Sequence, residues 1–323
     1  MSLREPSETR AVTLVDIPLI RRLSERGTVL DSEICFTRDA GGPQAARFFT
    51  LLLPYGGVST IIARANQQHV VGQFRMDTDE DHLAHITYVA PTLNEGDDNT
   101  AWLHLLDAMA VDAGKRGAHV LIAEVDEMAP LFTTLRTAAY SIYARQEIWC
   151  RPAGEQTLSW QPVDLTEASE DDLPEIHALY GNIIPKLVQQ ITYLPQARSG
   201  YVYRHNERVE GFVGVTQGKQ GVYLTPLLHP DAFRDAPAII AAAATQANRS
   251  ASVPVYVRVR RYQDWLDRAL TETGFNITAR QAVMVKHITA GVRTASFAPL
   301  HHLVEGAVPN SAKPPHKGLM DGS

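Results

Sequence analysis

The chain is poor in cysteine. Cys35 and Cys150 are the two thiols in 323 residues. A disulfide between them stays open, but so few thiols in a chain this long fit a reducing cytoplasm. Positive charge is also short, with a formal net charge of −6. There is no broad basic field to grip a phosphate backbone, which argues against a nucleic-acid partner. No apolar run reaches about 18 residues, which argues against a membrane span. The opening MSLREPSETR lacks the apolar core of a signal peptide. A Walker loop, a Gly-x-Ser-x-Gly elbow, a Cys-x-x-Cys pair and a dinucleotide fingerprint are all missing. His82-x-x-His85 suggests a metal pair on paper, but an offset of three on a strand points the rings to opposite faces. His301 and His302 have no acid or thiol cluster nearby, so no metal site is expected.

What is present is one pattern used twice. Residues 83–150 read as strand, helix, strand, helix, strand. Residues 220–288 repeat that order at the same spacing. With 45% hydrophobic and 20% charged residues, the chain reads as a globular α/β protein of two units. The boundaries expected are 11–150 for the first unit, 151–162 for a linker with proline at both ends, and 163–290 for the second. The tail 291–323 is rich in Pro, Gly, Ser and His and is expected to be disordered or draped over a protein partner.

Ahead of each repeat the spacing predicts similar elements. In the first half these are a strand over 11–15 and a helix from Asp16 with Pro18 in its first turn. Gly27 is expected to close that helix. A glycine- and proline-rich loop follows over 38–57. Then comes a hairpin of Val58–Ala65 and His69–Met76, and an acidic turn over 77–81. In the second half the order is a strand at 163–165, a capping box Ser169–Asp172, and a helix interrupted at Gly181 and Asn182 that resumes over 183–191. A hairpin of Tyr201–His205 and Val209–Thr216 follows. The stripe Trp102, Leu105, Leu106, Met109, Ala110 and Ala113 reads as the core face of a helix.

A hairpin feeding strand, helix, strand, helix and strand resembles the Gcn5-related N-acetyltransferase (GNAT) family of acyl-CoA-dependent acyltransferases. Local marks agree. Val89-Ala90-Pro91 and Leu228-His229-Pro230 look like the family's strand end, a hydrophobe, any residue, then proline. Gly274-Phe275 looks like its helix-end Gly-Phe, with Ala139-Tyr140 in that place in the first half. The resemblance covers about 11–150 and 163–290. It implies two tandem acyltransferase-like domains joined as an intramolecular pseudo-dimer. Each would be a mixed, mostly antiparallel sheet flanked by helices.

The resemblance also implies acetyl-CoA as co-substrate and a small-molecule or peptide amine as acceptor. Its groove lies where the two central parallel strands splay. The pantetheine amides would then meet the backbone of Tyr88, Val89 and Ala90. The diphosphate would lie at Gly96, Asn99 and Thr100. Both phosphate loops depart from the family pattern. The first keeps only Gly96 and sets Asp97 and Asp98 where a diphosphate should sit; the second, Asp231–Pro237, has no glycine. The family's tyrosine acid, counted back from the helix end, is Leu135 in one half and Leu270 in the other.

Among the other side chains, His85 is a candidate base, since imidazole titrates near neutrality; the plainer reading is a structural histidine. Glu124, at a strand end, is a candidate to reach the groove, against a solvated carboxylate. Arg258, Arg260 and Arg261 form a small basic patch, a candidate to meet the phosphates of a CoA or an acidic partner, against the default of solvated surface. Two functions follow: acyl-CoA-dependent N-acyl transfer, or a non-catalytic binding or scaffold protein that has lost the phosphate loop.

Overall fold

Two short segments start the two halves in the same way. Thr13, Asp16, Pro18, Ile20 and Leu23 recur as Ser169, Asp172, Pro174, Ile176 and Leu179, each 156 positions on. In both copies the aspartate takes two bonds from the residue three before it. Thr13 gives its N–H (2.9 Å) and Oγ1 (2.8 Å) to Asp16 Oδ2. Ser169 gives its N–H (2.7 Å) and Oγ (2.8 Å) to Asp172 Oδ2. This closes the orphan N-terminus of a helix, and proline in the first turn loses no needed donor.

The computed structural model describes residues 8–38, 58–77, 82–155, 160–161, 163–192 and 200–288. The expected loop over 38–57 falls almost wholly outside these residues. So do most of the acidic turn 77–81, part of the linker, and the tail 291–323.

The first half contributes β1 (Glu8–Ala11), α1 (Ile17–Ser24), β2 (Thr28–Val29), α2 (Ser32–Thr37), β3 (Val58–Ala65), β4 (Gln68–Met76) and β5 (Leu83–Ala90). It continues with α3 (Thr100–Lys115), β6 (Val120–Asp126), α4 (Pro130–Thr137) and β7 (Ser141–Arg151). The second contributes β8 (Leu165–Glu167), α5 (Leu173–Ile183), α6 (Lys186–Gln189), β9 (Gly200–His205), β10 (Arg208–Gln217) and β11 (Val222–Leu228). It ends with α7 (Ala236–Ala247), β12 (Val255–Arg260), α8 (Asp267–Glu272) and β13 (Asn276–His287). Both hairpins turn on two residues of positive φ, Asn66-Gln67 and Asn206-Glu207, the geometry that matches strand twist.

Three expectations shift. The first strand lies before residue 12, because the Thr13 cap already belongs to the helix. The helix after Asp172 runs through Gly181 and Asn182 and breaks at Ile184-Pro185 instead. Pro185 forces the break, since proline disfavours helix at the residue before it. Gly27 lies beyond the end of α1. A Cβ there would sit 1.7 Å from the Tyr88 hydroxyl, so the residue serves close approach to β5.

Among the described residues thirteen strands form one sheet. Its order is β1-β3-β4-β5-β6-β13-β7-β12-β11-β10-β9-β8, with β2 added on β5. The order reads as a palindrome except at its centre. There, the last strand of each half lies inside the other half: β13 beside β6, and β7 beside β12. The sheet runs on past the expected linker in 151–162, and the described residues belong to one compact unit.

Gln146 pairs with Gln281 in the β7–β13 ladder, and Gln146 Nε2 donates to Gln281 Oε1 at 3.0 Å. Each stands in an Ala-Arg-Gln triplet, at 144–146 and 279–281. Like meeting like is the mark of a two-fold axis. Among the described residues only β5–β6 and β11–β12 are parallel pairs.

One face of the sheet carries α3 and α4 over the first half and α7 and α8 over the second. The stripe from Trp102 to Ala113 is buried there as expected. The other face carries α1, α2, α5 and α6. On it α2 crosses to the second half, where Phe36 meets Tyr256 with ring centroids 4.5 Å apart. Among the described residues no helix is long and apolar enough to cross a membrane. Cys35 and Cys150 are free thiols.

Candidate functional site

Each half has a parallel strand pair that registers for three residues and then parts. In the first half the last registered pair is His85–Ile122; in the second it is Leu224–Val257. Beyond those points the backbone groups facing into the wedge need partners.

In the first wedge the chain supplies them. β2 pairs with β5 through Thr28–Val89 and Val29–Tyr88. Leu30 N–H then donates to Thr87 O (3.0 Å), and Leu30 O accepts from Glu124 N–H (2.9 Å). The backbone of one residue thus bridges both strands, and the Leu30 side chain is buried beneath it. Further out, Thr92 N–H donates to Arg26 O.

In the second wedge a side chain does the same task. Gln263 is buried. Its Nε2 donates to Pro226 O (2.7 Å), and its Oε1 accepts from Arg260 N–H (3.4 Å). Sequence reasoning missed both closures. Neither Leu30 nor Gln263 stands in a motif, and Leu30 lies outside the repeated strand–helix units.

The residues expected to meet acetyl-CoA are engaged within the chain. The Tyr88 and Val89 backbones pair with β2, and Ala90 is wholly buried. Gly96 lies in an exposed turn with φ +84°. Asn99 Nδ2 donates to Thr134 Oγ1 at 3.2 Å. Thr100 gives its N–H (3.0 Å) and Oγ1 (2.6 Å) to Asp98 Oδ1. The carboxylate thus holds the N–H that a diphosphate would need. These bonds, with one from Asn66, keep Asp98 below the usual carboxylate range. At the start of α7 the Asp235 carboxylate accepts from the Tyr203 hydroxyl at 2.8 Å. Leu135 and Leu270 are fully buried. The residues present therefore do not fit acetyl-CoA in either half.

His85 and Glu124 do come together. Both line a recess of about 370 Å³ on the α1–α2–α5–α6 face of the sheet, walled by both halves. Strand parity puts them there. On β6, Leu121, Ala123 and Val125 face α3 and α4, leaving Ile122 and Glu124 on the opposite side. On β12, Val255, Val257 and Val259 face α7 and α8, leaving Arg258 and Arg260 to line the recess.

The expected solvated basic patch is thus divided. Arg261 is exposed, but Arg260 is buried and Arg258 partly so. The sequence carries the alternation of arginine with valine on β12, but not the second layer that covers the arginine face. Glu124 is no solvated strand end either. Its Oε2 accepts from Ser32 N–H at 2.7 Å and from the Ser32 hydroxyl. Burial opposes its charge, but Arg258 and the Ser32 bonds outweigh it and hold the carboxylate below its usual range. Burial, aided by Arg75, lowers His85 to about 4, so the ring is neutral at pH 7.

The architecture has known counterparts. The chain matches a GCN5-related N-acetyltransferase from Sphaerobacter thermophilus with a TM-score of 0.55 at 11% identity, over 88% of this chain and 97% of that one. The fold is the Gcn5-related N-acetyltransferase fold. A tandem GNAT protein from the clavulanic acid biosynthesis pathway matches with a TM-score of 0.51 at 12% identity, over 88% of this chain and 99% of that one. No family model and no curated protein matches the sequence. At such identities the likeness is one of GNAT architecture, and function rests on the site.

Proposed function

We propose that this chain is a small-molecule-binding protein on a tandem GNAT fold, whose acyl-CoA wedges have been taken over by its own amides. The observation that carries this reading is the Leu30 backbone, whose N–H and C=O bond to Thr87 and Glu124 across the first wedge. Admitting a pantetheine arm there means breaking those bonds and withdrawing β2 and the buried Leu30 side chain. The carboxylates Asp98 and Asp235 at the two helix starts support the same reading, because each repels a diphosphate where the fold would bind one. The binding site under this reading is the recess that holds His85 and Glu124. The free thiols support a reducing cytoplasm as its location.

The second reading is acyl transfer from acetyl-CoA to a small-molecule or peptide amine, and the fold of the solved neighbours favours it. It needs β2 to leave and a base to take the amine proton. With its pKa near 4, His85 is poorly matched to that task at neutral pH. Calorimetry of acetyl-CoA into the full chain, with thiol release followed over an amine panel, separates the two. The proposal expects no binding heat at millimolar ligand and no turnover above buffer. A dissociation constant below about 100 μM, roughly −5.5 kcal/mol, with amine-dependent thiol release would establish the transferase.

A further inference from the structure

Arg260 is a buried cation with incomplete bonding. It is 4% exposed, and its Nε and Nη1 are buried with no hydrogen-bond partner. A buried guanidinium left in that state is costly, because its lost hydration is not replaced. Burial first, and then the neighbouring Arg258, push its pKa down, which is the mark of a cation short of an anion. Both arginines line the recess. They come from the second half.

The wall supplied by the first half is acidic, with Asp31, Glu33, Asp77 and Glu124. Asp31 is paired with Arg75 at 3.2 Å. Among the described residues the hydrogen bonds that the Glu124 carboxylate accepts both fall on Oε2. The walls sense each other: Glu124 and Glu33 both support the Arg258 charge, after Tyr223 and against burial.

We propose that the recess binds a small zwitterion carrying a carboxylate and an ammonium group, an amino acid or a molecule of that class. Its carboxylate pairs with Arg260 and Arg258, and its ammonium group with Glu124. Charge balance decides for a zwitterion over a plain anion. The lining has four carboxylates, with the pKa of Glu33 raised by burial, against three guanidiniums, Arg75, Arg258 and Arg260. Even with Glu33 neutral there is no surplus of positive charge to hold a lone anion; a zwitterion adds no net charge and meets both walls. The aromatic faces of Tyr180, Tyr262 and Phe212 complete the lining and suit the ligand's apolar part. A volume of about 370 Å³ is at the small end of ligand sites.

This inference rests on the binding-protein reading, and its test keeps the two apart. The full chain is screened by thermal shift and calorimetry against the twenty protein amino acids. Each hit is compared with its decarboxylated amine and its deaminated acid. At least one amino acid should raise the melting temperature. Both truncated analogues should bind at least tenfold more weakly, as expected for losing a bond to a charged group. Arg260→Met should weaken the hit at least tenfold without lowering the melting temperature of the free protein, because it removes an unpaired buried charge. Glu124→Gln keeps an acceptor for Ser32 and should also weaken the hit at least tenfold.

No shift with any amino acid would overturn the zwitterion site. So would acetate or phosphate binding as tightly as the best amino acid, or a hit unchanged in both variants. Acetyl-CoA binding beside an intact amino-acid site would overturn the loss of CoA and leave this inference standing. Absence of both ligands would do the reverse.

Discussion

The first wedge is closed by backbone and the second by a side chain. Leu30 bridges β5 and β6 through its own backbone N–H and C=O, held in place by β2. Gln263 bridges β11 and β12 through a side-chain amide. Both have one donor and one acceptor at the geometry the parted strands require. The demand comes from the fold, since parallel strands that part leave N–H and C=O groups to satisfy. The means is a local choice. A side-chain amide can be removed by one substitution, whereas a backbone amide can only be displaced with its segment.

The largest expected effect comes from disturbing the backbone closure. At Gly27 a Cβ would fall 1.7 Å from Tyr88 Oη and 2.0 Å from its Cζ. Gly27→Val must therefore move the Tyr88 ring or β2. We expect a loss of about 3 kcal/mol, the upper range of overpacking, read by urea denaturation. A loss under about 1 kcal/mol would mean that β2 is loosely held, and the contrast between the wedges would weaken.

Next is the side-chain closure. Gln263→Leu leaves Pro226 O and Arg260 N–H without their partner. The expected cost is about 2 kcal/mol, in the range for stranded buried groups, again by urea denaturation. The second wedge should loosen alone, so hydrogen exchange should quicken at β11 and β12 and stay slow at β5. Equal quickening in both halves would show that the exchanged strands β7 and β13 couple the wedges rigidly.

A smaller contrast lies in the twin helix caps. Hydrogen bonds from Arg10, and then from Thr13, place Asp16 below the carboxylate range. Burial opposes the Asp172 charge, but the Ser169 and Arg204 bonds outweigh it and also lower its pKa. A folded pKa below the unfolded value of about 3.9 contributes stability above that pH and loses it as pH falls through the folded value. Asp16→Ala and Asp172→Ala should each cost about 1 kcal/mol at pH 7. Each should also flatten the stability lost below about pH 4. An unchanged acid profile would remove these groups from the acid transition.

The least effect is expected at the α3 N-terminus. Asp98→Ala frees Thr100 N–H and should cost about 0.5 kcal/mol, the low end for a helix cap. It should not create acetyl-CoA binding, because the wedge above stays closed. Binding gained by this substitution alone would make the loop, and not β2, the obstacle.

Much of the fold was legible in the sequence, because periodicity reports burial directly. The Trp102–Ala113 stripe, the two hairpins and the strand Leu83–Ala90 could be read that way. The exchange of β7 and β13 could not. A strand's pattern says that its faces are covered, not by which half. Within the site, His85 and Glu124 could be named from strand parity. Arg258 and Arg260 could be named too, but were read as solvated. Their burial depends on α2 and α5 covering that face, which is a tertiary fact. The closures at Leu30 and Gln263 left no trace in any motif, since any residue's backbone can bridge a wedge and a glutamine is not unusual after a strand.

The most direct test of the central claim is hydrogen exchange at the Leu30 amide in the full chain, with and without millimolar acetyl-CoA. A closed first wedge predicts slow exchange at Leu30 that the ligand leaves unchanged. Fast exchange at Leu30 that persists as acetyl-CoA slows exchange at Tyr88 and Val89 would contradict it, because pantetheine would then occupy the place assigned here to β2.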